Sequence, residues 1–197
     1  YYTMLQNAPF VAIVGRPNVG KSTLFNRLVG TRRAIVEDEP GTTRDRLYGE
    51  VAWNGRSFVL VDTGGLDLNP GDEMAAKVHA QAELAIDEAD VVLLVVDVTT
   101  GLAGSEYEIA DLLRRSQKPV VLAVNKADNA DRELGVAEFH ALGLGDPYPV
   151  AANSGRGTGD LLDAVVAALP PVIEEEEADE DVVHIAIVGR TNVGKSS

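Results

Sequence analysis

The sequence predicts an α/β fold with a mostly parallel six-stranded sheet, one antiparallel edge strand and helices on both faces. Strand-length apolar segments alternate with helix-length segments along most of the chain, and that order is typical of parallel sheets. Asn54-Gly55 separates two segments of alternating polarity, which indicates a hairpin and therefore one antiparallel strand. Residues 91–97, VVLLVVD, are apolar almost throughout, as expected for a strand covered on both faces.

The elements of the first half follow from segment length and period. Residues 10–14, FVAIV, form a short buried strand that leads into a glycine-rich turn and a helix at 21–29. Residues 31–45 are polar without a clean period, so a long loop is expected there. The hairpin strands at 46–53 and 56–63 alternate with a period of two.

The second half repeats the order of helix and strand. A last helix is terminated by Pro170-Pro171, because proline cannot continue a helix. The predicted elements are a helix at 73–88, a strand at 91–97, a helix at 104–116, a strand within 119–128, a helix near 131–141, a strand at 147–151 and a helix at 158–169.

Composition limits the classes of function. The chain has 197 residues, of which 45% are hydrophobic, enough for one domain with a sound core. The formal net charge of −14 makes the chain a poor general binder of nucleic-acid backbone, and no tight RNA binding is expected from it. It contains no cysteine and no apolar run of membrane-spanning length. A cytoplasmic location without membrane association is therefore expected.

The first chemical motif is a phosphate-binding loop between the first strand and the first helix. The motif G-x-x-x-x-G-K-[ST] is matched there, and strand and helix on either side are the context that it requires. Backbone N–H groups and the helix N-terminus would face phosphate, the lysine would reach the β- and γ-phosphates, and the serine would ligate Mg²⁺. The predicted loop residues are Gly15, Arg16, Pro17, Asn18, Val19, Gly20, Lys21, Ser22 and Thr23.

A second motif, D-x-x-G, closes the strand at 56–63. Asp62 at the strand end can hold Mg²⁺ through water, and the N–H of Gly65 can face a γ-phosphate. Thr63, Gly64 and Leu66 complete the predicted segment. The motif alone is weak, but its position some forty residues after a phosphate loop favours the functional interpretation.

A third motif, Asn125-Lys126-Ala127-Asp128, follows the strand within 119–128 and predicts guanine recognition. The Asp128 carboxylate can accept hydrogen bonds from guanine N1–H and the 2-amino group. Adenine offers neither donor, so the carboxylate would face it unpaired. This argues against an ATP-using phosphotransferase. Lys126 would lie along the base and Asn125 would brace the loop.

These motifs, in this order, resemble those of the TRAFAC-class GTPases, whose fold is a phosphate-loop G domain. The resemblance implies a further base-binding segment at Ala151-Ala152-Asn153, with the N–H of Ala152 meeting the guanine oxygen and Ala151 replacing the usual serine. The segment PGTTRD resembles the first switch of the Era, MnmE and Der (EngA) group. That resemblance implies Thr43 as a Mg²⁺ ligand, with Thr42 as second choice, and a catalytic set of Lys21, Thr43 and Gly65.

A repeated sequence motif distinguishes among these families. Residues 185–197 agree with residues 11–23 at ten of thirteen positions, and two such domains in one chain are typical of the Der family, which acts in assembly of the large ribosomal subunit. The expected organisation is a G domain at 10–170, an acidic linker at 171–183 and the truncated start of a second G domain at 184–197, which is not expected to bind nucleotide here. The large ribosomal subunit is the partner implied for the full-length protein.

The hydrolytic machinery is incomplete in the sequence. Leu66 occupies the position where Ras-like enzymes have a water-orienting glutamine, so slow intrinsic GTP hydrolysis is predicted. The family resemblance suggests that Asn18 helps to hold a K⁺ ion against the phosphates. Equally, Asn18 could merely shape the loop turn. A nucleotide-gated binding module with negligible turnover is the alternative function.

Overall fold

The structure is a computed structural model that describes residues 8–30, 34–36, 47–63 and 74–171. Several predicted features lie outside these ranges. They are Thr42 and Thr43, the segment from Gly64 to Leu66, the acidic linker and the repeated motif near the C-terminus.

The described elements alternate as expected from the sequence. Seven strands and five α-helices lie within the described ranges, and one 3-10 helix follows the fourth α-helix. In chain order they are β1 (Phe10–Val14), α1 (Lys21–Val29), β2 (Ala34–Val36), β3 (Leu47–Trp53), β4 (Arg56–Asp62), α2 (Met74–Glu88), β5 (Val91–Asp97), α3 (Gly104–Ser116), β6 (Val120–Asn125), α4 (Ala130–Gly135), the 3-10 helix (Val136–Leu142), β7 (Pro147–Pro149) and α5 (Thr158–Ala168).

The strands form one sheet in the order β2-β3-β4-β1-β5-β6-β7. The neighbours from β4 to β7 run parallel, whereas β3 is antiparallel to both β2 and β4. The predicted fold class is confirmed, with one more strand than the sequence indicated. The additional strand is β2, which pairs with β3 and removes it from the sheet edge.

Three elements differ from the sequence predictions. β2 consists of Ala34, Ile35 and Val36, a short apolar run within the polar segment that was expected to be loop. The helix predicted near 131–141 changes from α to 3-10 geometry after Gly135, a residue with low helix propensity. β7 is only three residues long and contains two prolines, which lack the N–H of a ladder donor.

The core lies on both faces of the sheet because alternate strand residues face opposite sides. In β1, Val11 and Ile13 pack with the cluster under α1 and α5, whereas Ala12 and Val14 pack with the cluster under α2 and α3. Every residue of β5 is buried, as predicted for a central strand. The half-buried Trp53 joins the hairpin to α5, since its Nε1 donates a hydrogen bond to Asp163 Oδ1 at 2.7 Å.

Candidate functional site

Two glycines shape the phosphate loop through close backbone approach. A Cβ atom at Gly15 would lie 2.3 Å from the carbonyl oxygen of Val95, and one at Gly20 would lie 2.3 Å from Nδ2 of Asn125. Gly20 also has a φ of 96°, which other residues rarely adopt. The loop is therefore packed against the ends of two neighbouring strands, and glycine is required at both positions.

Lys21 begins α1 and points its ammonium group back into the loop. Its Nζ donates hydrogen bonds to the carbonyl oxygens of Gly15 and Arg16, each at 2.8 Å. Burial lowers the pKa of Lys21, and the charge on Asp62 only partly counters this effect. A buried ammonium group is costly unless an anion pairs with it, so a phosphate anion would stabilise the charged lysine. The N-cap residue Gly20 offers no capping side chain, which leaves helix N–H donors for the same anion.

Two predicted Mg²⁺ ligands are brought together across the strand ends. Ser22 Oγ donates a hydrogen bond to Asp62 Oδ2 at 2.9 Å, although forty residues separate them in sequence. Asp62 is buried at the end of β4, and the hydroxyl of Thr63 next to it donates to the carbonyl oxygen of Ile13. A hydroxyl and a carboxylate are oxygen donors of the kind Mg²⁺ prefers, so these residues fit the ion.

Asn125 connects the phosphate loop with the predicted base-binding segments. Its Nδ2 donates to the carbonyl oxygen of Val19 at 2.8 Å, and its Oδ1 accepts a hydrogen bond from the N–H of Ala152 at 3.0 Å. The side chain is 3% exposed, so water does not replace these partners. The bracing role predicted for Asn125 thus takes the form of a bridge between three loops.

The Asn125 bridge also engages the backbone N–H of Ala152. Its N–H, expected to meet the guanine oxygen, is donated to Asn125 Oδ1 in the structure, so a base oxygen would have to share this donor. Ala151 supplies backbone contacts only: its N–H donates to the carbonyl oxygen of Arg156, and its own carbonyl oxygen accepts from Ser154 and Gly155. These backbone hydrogen bonds close the turn without the side chain of the serine that the family usually has at position 151.

Arg27 supports the same segment and was not predicted from the sequence. From α1, its Nε donates to the carbonyl oxygen of Ala152 at 3.0 Å, and Nη2 donates to the carbonyl oxygen of Asn153. Arg27 lies four residues after Thr23, on the same face of the helix. A charged residue on the helix that follows a phosphate loop is the signal that could have identified it.

Lys126 is held in position by a second residue that sequence reasoning missed, Asp97 at the end of β5. Lys126 Nζ lies 2.5 Å from Asp97 Oδ2 and 3.1 Å from the carbonyl oxygen of Asn18. Burial by itself raises the pKa of Asp97, but hydrogen bonds from Lys126 and Thr99 hold it below its ordinary value. The ammonium group of Lys126 is thereby held between Asp97 and the phosphate loop.

Asp128, the predicted base-reading carboxylate, lies in the turn after β6 and before α4. It is about half exposed and is paired with Arg132. Ala127 beside it is buried, and its N–H donates to the carbonyl oxygen of Val150. The predicted base-binding motif is therefore anchored next to β7 through the Ala127 N–H.

Arg16 links the phosphate loop to the neighbouring helix. Its Nη1 lies 2.9 Å from Oε1 of Glu106, a buried carboxylate in the first turn of α3. The other carboxylate oxygen of Glu106 accepts a hydrogen bond from the N–H of Ala103, as in a helix-capping interaction.

Asn18 has a φ of 67°, a left-handed conformation that asparagine tolerates well.

The described site thus combines a phosphate loop, a serine–aspartate pair and the predicted base-binding segments at the carboxyl ends of parallel strands. This arrangement defines the G domain of a phosphate-loop GTPase. The sequence pattern of a family described as "50S ribosome-binding GTPase" matches residues 10–126, more than half of the chain. The chain therefore belongs to this GTPase family.

Similar proteins agree with that assignment. The chain is 60% identical over 195 residues to GTPase Der of Herpetosiphon aurantiacus and 61% identical over 190 residues to GTPase Der of Symbiobacterium thermophilum, with 96% of this chain covered in both. It spans only 43% and 40% of the lengths of these relatives. The resemblance to the Der family is thus confirmed for this part of the sequence.

A solved structure supports the fold independently. Era in complex with MgGDPNP and nucleotides 1506-1542 of 16S ribosomal RNA matches with a TM-score of 0.67 and 31% sequence identity. The match covers 89% of this chain and 60% of that chain.

Within the described ranges, none of the helices has the length and apolar character needed to cross a bilayer.

Proposed function

We propose that residues 10–170 bind GTP and GDP with Mg²⁺ and hydrolyse GTP to GDP and phosphate at a slow intrinsic rate. The observation that carries this proposal is the Asn125 bridge, which joins the phosphate loop to the segment at Ala152 through two buried hydrogen bonds. One ligand with phosphates at one end and a base at the other fits this arrangement. The GTPase family of the chain supports the same reaction.

Each described residue has a role that follows from its position. Lys21 would move from its carbonyl partners towards phosphate oxygens, and the N–H groups between Asn18 and Ser22 would surround the phosphates. Ser22 and Asp62 would hold Mg²⁺, which neutralises charge on the β- and γ-phosphates. Asp128 would read the base edge, and Lys126 would lie along its face. Thr43 is proposed as a further Mg²⁺ ligand, and the N–H of Gly65 is proposed for the γ-phosphate. Both residues lie outside the described ranges.

The remaining organisation is proposed from the sequence and the relatives. The acidic run at 174–181, with seven acidic residues in eight positions, supports a solvated linker within 171–183. The repeated motif supports residues 184–197 as the start of a second G domain. The family description supports the large ribosomal subunit as a partner of the longer protein. The net charge of −14 supports the expectation that this chain alone binds RNA weakly.

Titration calorimetry with guanine and adenine nucleotides tests the base assignment. We expect GDP and GTP to bind in Mg²⁺ buffer and ADP and ATP to bind at least about a hundredfold more weakly, because Asp128 would remain unpaired against adenine. Equal competition by ATP would contradict the guanine-reading role. Phosphate release with GTP separates the two functions left open above, since a nucleotide-gated binding module would bind GTP without measurable turnover.

The role of Asn18 is tested by monovalent cations. If Asn18 helps to hold K⁺ near the phosphates, turnover is faster in KCl than in NaCl, and Asn18→Asp changes this ratio. Equal turnover in both salts would instead assign Asn18 to the loop turn, for which its positive φ is already a sufficient reason. GDP binding by the same variant shows whether the loop itself remains intact.

A further inference from the structure

The carboxylate of Asp128 is held by an arginine one helical turn later. Nη1 of Arg132 lies 2.7 Å from Oδ1 and 2.8 Å from Oδ2 of Asp128, so one nitrogen faces both oxygens. The same nitrogen also donates to the carbonyl oxygen of Lys126 at 3.3 Å. Arg132 therefore lies against the base-binding motif at two points.

The backbone around α4 fixes this pairing. Asn129 is the N-cap residue, and its Oδ1 accepts a hydrogen bond from the backbone N–H of Arg132 at 3.0 Å. Its Nδ2 contacts Asp128 Oδ1 at 3.2 Å. A capped first turn places residues four apart on one face. The sequence D-N-A-D-R, from Asp128 to Arg132, thus brings the arginine to the carboxylate before any nucleotide binds.

The position of Nη1 makes Arg132 a competitor of guanine. A donor that is nearly equidistant from both carboxylate oxygens occupies the side on which a bidentate partner approaches. Guanine would approach as such a partner, with N1–H directed to one oxygen and the 2-amino group to the other. The inner lone pairs of the two oxygens cannot serve the base and Arg132 together.

We infer that Arg132 competes with the guanine base for Asp128 and thereby weakens guanine-nucleotide binding and limits its selectivity. This inference rests on the proposed guanine site. The side chains of Asp128 and Arg132 are 53% and 41% exposed, so water and salt screen the pair and its effect is modest. Arg132 can swing into solvent when the base enters, because its other contact in the motif is a long one.

Inosine nucleotides separate competition from simple support of the loop. Hypoxanthine has N1–H but lacks the 2-amino group, so it needs one carboxylate oxygen and leaves the other to Arg132. Removal of Arg132 therefore strengthens the binding of GDP more than that of IDP. A residue that only stabilised the loop would alter both affinities by the same factor.

The experiment measures the dissociation constants of GDP and IDP by titration calorimetry, in Mg²⁺ buffer, for the full chain and two variants. Arg132→Ala removes the side chain, and Arg132→Gln retains part of its length without the charge. We expect both variants to bind GDP about two- to fivefold more tightly, as the strength of an exposed ion pair allows. The change for IDP should be clearly smaller.

Arg114→Ala is the matched control, because Arg114 forms an exposed ion pair with Asp111 on α3, away from the nucleotide site. It should leave both dissociation constants unchanged. Unchanged or weaker GDP binding in the Arg132 variants would overturn the competition, as would equal improvement for GDP and IDP. If the unsubstituted chain fails to bind GDP, the proposed function itself is refuted.

Discussion

Substitution of Asn125 by alanine is expected to weaken both the fold and the nucleotide site. The change removes the donor to the Val19 carbonyl oxygen and the acceptor for the Ala152 N–H, at distances of 2.8 and 3.0 Å. Each buried hydrogen bond contributes about 1 kcal/mol, and a buried partner left unpaired costs about 1–3 kcal/mol. A loss of about 2–4 kcal/mol in the free energy of unfolding follows.

Thermal unfolding followed by circular dichroism measures this loss. For a chain of this length, 2–4 kcal/mol corresponds to a fall in the melting temperature of about 5–15 °C. GDP affinity, measured by calorimetry below the melting transition, should also fall by at least about tenfold, because the phosphate and base loops are no longer held together.

Asn125→Asp distinguishes hydrogen bonding from packing. Aspartate has nearly the same shape and can still accept from the Ala152 N–H, but it places a buried carboxylate against the Val19 carbonyl oxygen. We therefore expect it to be at least as damaging as alanine. Near-normal melting and GDP binding in Asn125→Asp would mean that the side chain only fills space, and the bridging argument would be refuted.

Three further predictions concern the surroundings of the site. Arg27→Met removes the donors to the carbonyl oxygens of Ala152 and Asn153 and should weaken GDP binding about fivefold in calorimetry, whereas Arg115→Met on the exposed face of α3 should not. The pKa of Asp97 is held below its ordinary value of 3.8, so the ionised carboxylate stabilises the fold above that pH, and this stabilisation is lost as the pH falls through the folded-state pKa. In urea unfolding, Asp97→Asn should not show this loss of stability at acidic pH. The same loss in the variant as in the unsubstituted chain would contradict the prediction. A Cβ atom at Gly15 would lie 2.3 Å from the Val95 carbonyl oxygen, so Gly15→Ala should abolish GDP binding. At Gly101, which has a φ of 66°, a Cβ atom would meet none of the described residues beyond its chain neighbours within 4 Å, so Gly101→Ala should cost only about 1–3 kcal/mol in stability.

The residues that sequence reasoning identified share one property: their backbone surroundings are determined locally. A glycine between a strand and a helix, or an acidic residue at a strand end, can be placed from its neighbours. Gly15, Lys21 and Asp62 were found in this way. The functional interpretation of the D-x-x-G motif was favoured by its distance from the phosphate loop, which can be counted along the sequence.

The missed residues depend on contacts between distant parts of the chain. Arg27 meets the segment at Ala152 only because α1 and the loop after β7 lie side by side, 125 residues apart in sequence. Asp97 and Lys126 meet because β5 and β6 are neighbours in register. β2 was missed because three apolar residues gain strand structure only through pairing with β3. Arg132 is a local exception, since its spacing from Asp128 was visible but no motif marked it.

The contact between Trp53 and Asp163 gives the chain an internal optical reporter. Trp53 is its single tryptophan, and it lies at the hairpin end of the sheet against α5. Its emission should therefore follow the detachment of α5 and be insensitive to changes at the predicted base-binding segments. Comparison of fluorescence with nucleotide release during gradual denaturation would show whether the domain opens first at the nucleotide site or at α5.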